Sequence, residues 1–74
     1  MKIEYTVHET RPHQRASPLN RDPIQTEVDR DRLAEELNKI LSHTAAAHRK
    51  NIRHLSLKWR GASAGAPSEW ATFP

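Results

Sequence analysis

The sequence predicts an α+β fold: a single small domain over residues 1–74, with one amphipathic helix packed on a small mixed or antiparallel sheet of three to four strands. Three stretches carry that prediction. Ile3, Tyr5 and Val7 alternate with Lys2, Glu4, Thr6 and His8, which is the period of a half-buried strand. Leu33, Leu37, Ile40 and Leu41 recur at i, i+4, i+7 and i+8, the apolar stripe of a helix. Leu55, Leu57 and Trp59 alternate with His54, Ser56 and Lys58, which gives a second firm strand.

The first strand stops before Arg11-Pro12, because the residue before a proline is pushed out of regular pairing and Pro12 has no N–H to donate. Residues 11–22 (RPHQRASPLNRD) hold Leu19 as their one large apolar side chain, so they read as a flexible Arg/Pro-rich loop, unusual in length for a compact domain. Ile24, Thr26 and Val28 alternate after Pro23, the pattern of a short edge strand, and Thr26-Glu27-Val28-Asp29 also fits a capping box ahead of the helix. The element order is therefore β-(β)-α-β-β, with the second strand the weakest.

Along the helix, Asp29, Asp31, Glu35 and Glu36 crowd the first half while His43, His48, Arg49 and Lys50 gather at the end, an arrangement that complements the helix macrodipole. Glu35 and Lys39 stand at i, i+4 in the favourable order. The run Ala45-Ala46-Ala47 has high helix propensity and extends the helix towards Arg49, with Asn51 as its stop. After the second firm strand, residues 61–68 form a Gly/Ala/Ser loop, and Glu69-Trp70-Ala71-Thr72-Phe73 returns as a short last strand.

The candidate core is Ile3, Tyr5, Val7, Ile24, Val28, Leu33, Leu37, Ile40, Leu41, Ile52, Leu55, Leu57, Trp59, Trp70 and Phe73. In a chain of 74 residues this leaves a small margin of stability. Pairing through an exposed strand edge, as a homodimer or with a partner, would add to it.

Composition narrows the function classes. Hydrophobic residues make up 35% and charged residues 28%, and no run approaches the roughly 20 apolar residues of a spanning helix, so no membrane association is expected. The opening Met1-Lys2-Ile3-Glu4 lacks the apolar stretch of a signal peptide, and the chain has no cysteine, so the expected location is cytoplasmic. No disulfide, thiolate zinc site or cysteine nucleophile is available.

The remaining chemistries find little support. His43 and His48 are about 140° apart around a helix, the wrong spacing for a metal pair, and His8 and His54 fall on expected solvent faces. Ser17, Ser42, Ser56, Ser63 and Ser68 have no nucleophile-elbow context, and the two glycines are too few for a phosphate-cradling loop. The expectation is a protein that is not an enzyme and holds no cofactor or metal.

Charge is the remaining signal. The net +3 is unevenly placed: residues 42–74 carry Arg49, Lys50, Arg53, Lys58 and Arg60 against Glu69 alone. Arg11, Arg15 and Arg21 add a donor-rich arm, with His13 and Gln14 beside them, and arginine's planar fork suits carboxylate or phosphate. These eight cations are the expected partner-binding residues. They would dock on an acidic protein surface or a nucleoprotein complex, as an inhibitor or adaptor. The alternative is direct nucleic-acid binding by the basic C-terminal half, where Trp59 lies among the cations. Trp59 shares its strand face with Leu55 and Leu57, however, which reads as core rather than as a stacking platform. No helix-turn-helix, zinc-finger, RRM or GXXG signature is present.

Two resemblances accompany this reading. Lys2-Ile3-Glu4-Tyr5-Thr6-Val7, Leu33-Ala34-Glu35-Glu36-Leu37 and Leu55-Ser56-Leu57-Lys58 together resemble the β-α-β-β start of the DinI-like RecA modulators. Against that pattern the basic loop is an insertion, and the family's acidic C-terminal helix is missing. In size, Arg/Ala-rich composition and lack of catalytic groups, the chain is also similar to small phage or mobile-element proteins that disable bacterial host machinery, anti-CRISPR proteins among them. That second resemblance is one of type rather than motif, and it implies inhibition by docking in a bacterial cytoplasm.

Overall fold

A computed structural model describes residues 1–11, 15, 17–62 and 69–73. Within it β1 (Lys2–Glu9) is the central strand, paired antiparallel on both edges. On one side lies β4 (Leu55–Gly61), in continuous register from Ile3↔Gly61 to Glu9↔Leu55, and β5 (Ala71–Phe73) adds outside it. On the other side β2 (Ser17–Pro18) and β3 (Ile24–Glu27) lie end to end against the same edge of β1. Among the described residues the sheet thus has five strands, one more than expected, and every pairing is antiparallel.

The extra strand comes from the predicted loop. Ser17 and Pro18 pair with Glu9 and His8, and Ile24 pairs with Tyr5, so residues 19–23 bulge opposite Thr6 and Val7 alone. The bulge does not leave Val7 unpaired. Leu19 N–H donates to the Val7 carbonyl at 2.8 Å, and the Asn20 side-chain oxygen accepts from Val7 N–H at 3.1 Å. Asn20 in turn donates to the Asp22 carbonyl at 2.7 Å, so one side chain completes the ladder and shapes the turn. Pro12, His13 and Gln14 of the expected arm, and residues 63–68 of the expected Gly/Ala/Ser loop, lie outside the described residues.

From β3 the chain enters a 3₁₀ turn, Arg30–Arg32, whose cap is Asp29: its carboxylate accepts from Asp31 N–H at 3.0 Å. Asp29 thus caps the 3₁₀ turn, the helix itself starts after Arg32 without a side-chain cap, and the expected Thr26 caps neither, because Ile24–Glu27 is held in the sheet by β1. Helix α1 (Leu33–His48) then runs back across one face of the sheet. It ends at Arg49, which takes a left-handed conformation, φ 52°. Arg49 N–H donates to Ala46 and Lys50 N–H to Ala45, the paired bonds of a Schellman cap. Asn51, expected to stop this helix, instead caps the next 3₁₀ turn, Ile52–His54, by accepting from Arg53 N–H at 3.0 Å.

The period-2 alternation decides what meets the helix. Ile3 and Val7 of β1 and Leu55 and Leu57 of β4 are buried against Leu37, Leu41 and Ala45, and Val28 closes the group. Tyr5, Leu19, Leu33, Ile40, Trp59 and Phe73 pack around it half-buried. Trp59 is thus part of the core, as its place beside Leu55 and Leu57 implied. Ile24, Ile52 and Trp70, also expected inside, are exposed. Ile24 starts an edge strand just after the bulge, Ile52 opens a 3₁₀ turn beyond the helix, and Trp70 precedes β5. Among the described residues no helix is long and apolar enough to cross a membrane.

Candidate functional site

The antiparallel topology gathers most of the predicted cations at one end of the molecule. Glu9 at the end of β1 is paired with Ser17 at the start of β2 and with Leu55 at the start of β4. Arg11 and Arg15, between these two strands in sequence, therefore belong to that end. Because α1 starts where β3 leaves the opposite end, it delivers Arg49, Lys50 and Arg53 to the same end as Glu9. Thr10 joins the two segments: its N–H donates to the His54 carbonyl at 2.6 Å and its hydroxyl to the same oxygen at 3.2 Å.

Glu9 sits in the middle of this basic end. Arg11 Nε donates to its Oε1 at 2.5 Å, and Lys50 Nζ lies 3.2 Å from its Oε2. The hydrogen bonds from Arg11 and then Lys50 hold the Glu9 carboxyl below its ordinary pKa. Arg15, Arg49 and Arg53 are exposed and make no ion pair among the described residues. The acidic residues near the start of the helix, Asp29, Asp31, Glu35 and Glu36, lie at the other end of α1. Arg30 and Arg32 stand among them and offset part of that negative charge, so the contrast between the two ends comes mainly from the basic end.

The remaining predicted residues stand apart. Arg21 lies on the edge bulge, exposed. Lys58 and Arg60 point from β4 to the sheet face opposite the helix, in register with Thr6 and Glu4. There Arg60 Nη2 lies 3.0 Å from Glu4 Oε2 and its Nε donates to the same oxygen at 3.1 Å, while Gln25 donates to Glu4 Oε1 at 3.1 Å. The hydrogen bond from Gln25, followed by that from Arg60, holds Glu4 below its ordinary pKa. The Arg60 guanidinium also covers one face of the Trp70 indole, 4.4 Å from the ring centroid. Lys58 is exposed and makes no ion pair among the described residues.

Sequence reasoning thus named the cations but missed what organises them. Glu9 fixes Arg11 and Lys50, and Glu4 fixes Arg60; the two carboxylates fall on opposite faces of β1, and the alternation of the strand singles out neither. Trp70 was read as core, yet it lies with Thr6, His8 and Lys58 around a groove on the open sheet face. Among the described residues, no group of three or more His, Asp or Glu side chains is placed to hold a metal ion. No protein-family model, no curated protein and no solved structure matches this chain.

Proposed function

We propose that the protein is a non-enzymatic binding module that docks through its basic end onto an acidic surface of a larger protein or nucleoprotein complex, as an inhibitor or adaptor. One observation carries this reading: strand register and helix direction bring Arg11 and Arg15 to the same end as Arg49, Lys50 and Arg53, two segments distant in sequence, with Glu9 pairing to Arg11 and Lys50 between them. A charge cluster built from distant segments creates a local positive potential that a sequence-contiguous run of mixed charge does not. Arg15, Arg49 and Arg53 keep their guanidinium groups exposed for bidentate contact with carboxylates. The absence of cysteine suits action in a reducing cytoplasm.

Fluorescence anisotropy tests the reading with labelled poly-glutamate, single-stranded DNA and double-stranded DNA, each at low and near-physiological salt. Salt-dependent binding of poly-glutamate supports docking on an acidic protein surface. Binding restricted to the oligonucleotides, with a steep salt slope, would transfer the basic end to nucleic acid. No binding of any of the three at low salt overturns the reading.

A further inference from the structure

On the sheet face away from α1, Thr6, His8, Lys58 and Trp70 line a groove of about 250 Å³. We propose that this groove is a binding subsite for a single nucleotide unit, with the base against the exposed part of the Trp70 indole and the phosphate beside Lys58. It is separate from the basic end, which the docking reading uses.

Three observations carry the assignment. The first is that Trp70 is both exposed and held. It is 37% exposed, large for an indole, and Arg60 covers one of its faces at 4.4 Å. Arg60 is itself fixed by Glu4, and Glu4 by Gln25, so three residues on three strands brace the ring. A braced, part-exposed aromatic loses little freedom when a planar ring packs on it.

The second observation is charge. Arg60 is paired with Glu4, whereas Lys58 makes no ion pair among the described residues, so the cation at the groove that is left for an anion is Lys58. Among the described residues, those lining the groove include no carboxylate. An aromatic face beside an uncompensated ammonium selects a ligand that is planar at one end and anionic at the other.

The third observation is unused polarity. His8 lines the groove, and its Nδ1 is a buried side-chain polar atom without a hydrogen-bond partner. Buried polar atoms in folded proteins are nearly always paired, so this orphan is a local cost that a small shift of the ring towards the groove would relieve. Base edges carry in-plane donors and acceptors that His8 and the Thr6 hydroxyl can engage. At about 250 Å³ the groove is smaller than the roughly 300–1,000 Å³ clefts that enclose a ligand, so it covers part of a nucleotide and leaves the rest in solvent.

Nucleotides come free or within a strand, and the test separates the two. The intact protein is titrated with AMP, adenosine, inorganic phosphate and a short oligo-deoxyadenosine, read by tryptophan fluorescence and by ¹H–¹⁵N chemical shifts. AMP is expected to quench saturably and to move the signals of Thr6, His8, Lys58 and the Trp70 indole. Trp70→Ala should weaken AMP between about fivefold and a hundredfold. Lys58→Gln should reduce AMP to the affinity of adenosine and leave adenosine unchanged. An oligonucleotide that binds more tightly than AMP and moves the same four residues supports the site and identifies a strand as its source. Shifts confined to Arg49, Lys50 and Arg53, or none with any probe, overturn the proposal. Circular dichroism of both variants confirms that they remain folded.

Discussion

Lys50, the second residue past the end of α1, reaches back to Glu9 at the end of the central strand, with Nζ 3.2 Å from Oε2. This contact ties the helix C-terminus to β1, and the same carboxylate takes Arg11 from the following connection. Glu9 thus holds two cations of the basic end in place while partly cancelling their charge. Removing it separates those effects. Glu9→Gln should tighten binding of an acidic probe, because Arg11 and Lys50 are released to a partner, while the thermal midpoint falls slightly. Parallel anisotropy and thermal melts measure both; weaker binding by Glu9→Gln would show that positioning outweighs cancellation.

The pH dependence of stability follows from the same carboxylates. Glu9 and Glu4 are both held below their ordinary value of 4.5 by their partners. A carboxyl with a lowered folded-state pKa contributes stability that is fully present above the unfolded-state value. That contribution is lost as pH falls through the folded-state value, because the unfolded chain takes up protons first. The melting temperature should therefore be flat down to about pH 5 and drop below about pH 4. The double variant Glu4→Gln/Glu9→Gln should melt lower at neutral pH and lose part of the acid-induced drop.

Arg49 occupies a conformation that suits glycine, with φ 52°. Arg49→Gly relieves the left-handed strain but adds freedom to the unfolded chain, for a net gain of about 0.5–1 kcal/mol. In a domain of this size that corresponds to a rise of roughly 2–8 °C in melting temperature, readable by calorimetry. Binding of an acidic probe should weaken at the same time, since a cation of the basic end is lost. Stability and binding moving in opposite directions is the signature of a residue kept for its charge.

Asn20 replaces a strand partner at the edge bulge, and its side-chain oxygen is the acceptor for Val7 N–H. Asn20→Ala leaves that part-buried donor unpaired, at a cost of about 1–3 kcal/mol. Native-state hydrogen exchange should show the Val7 amide losing protection well before the amides of β1 that pair with β4. Unchanged protection at Val7 would mean that another acceptor replaces Asn20.

Much of the architecture is legible in the sequence because its signals are periodic. The i, i+4, i+7, i+8 stripe from Leu33 and the alternations from Ile3 and Leu55 each fix which face is buried, and Leu37, Leu41, Ile3, Val7, Leu55 and Leu57 are all in the core. The β2 strand is not legible, since Ser17 and Pro18 have no apolar pattern and pair only because β1 offers them an edge. The helix stop is misplaced for a related reason: a Schellman cap forms on backbone bonds alone, so Arg49 can adopt it without the residue type that signals it. The basic residues are visible as charge, but their division into an end cluster and an open-face pair depends on strand register. Trp70 illustrates the same limit. An aromatic next to a short strand reads as core, and only the Arg60 contact across β4 and β5 places it on the other face.

The most direct test of the basic end is reversal of its charge without disturbing the fold. The triple variant Arg49→Glu/Lys50→Glu/Arg53→Glu changes residues that lie outside the buried cluster, so far-ultraviolet circular dichroism should stay close to that of the unmodified protein, while the melting temperature falls by a few degrees because Lys50 no longer pairs with Glu9 and the helix C-terminus gains negative charge. Anisotropy with the acidic probe at low salt is expected to show binding by the unmodified protein and none by the variant. Retention of binding by a folded triple variant would contradict the account and leave the basic end as a solvated surface.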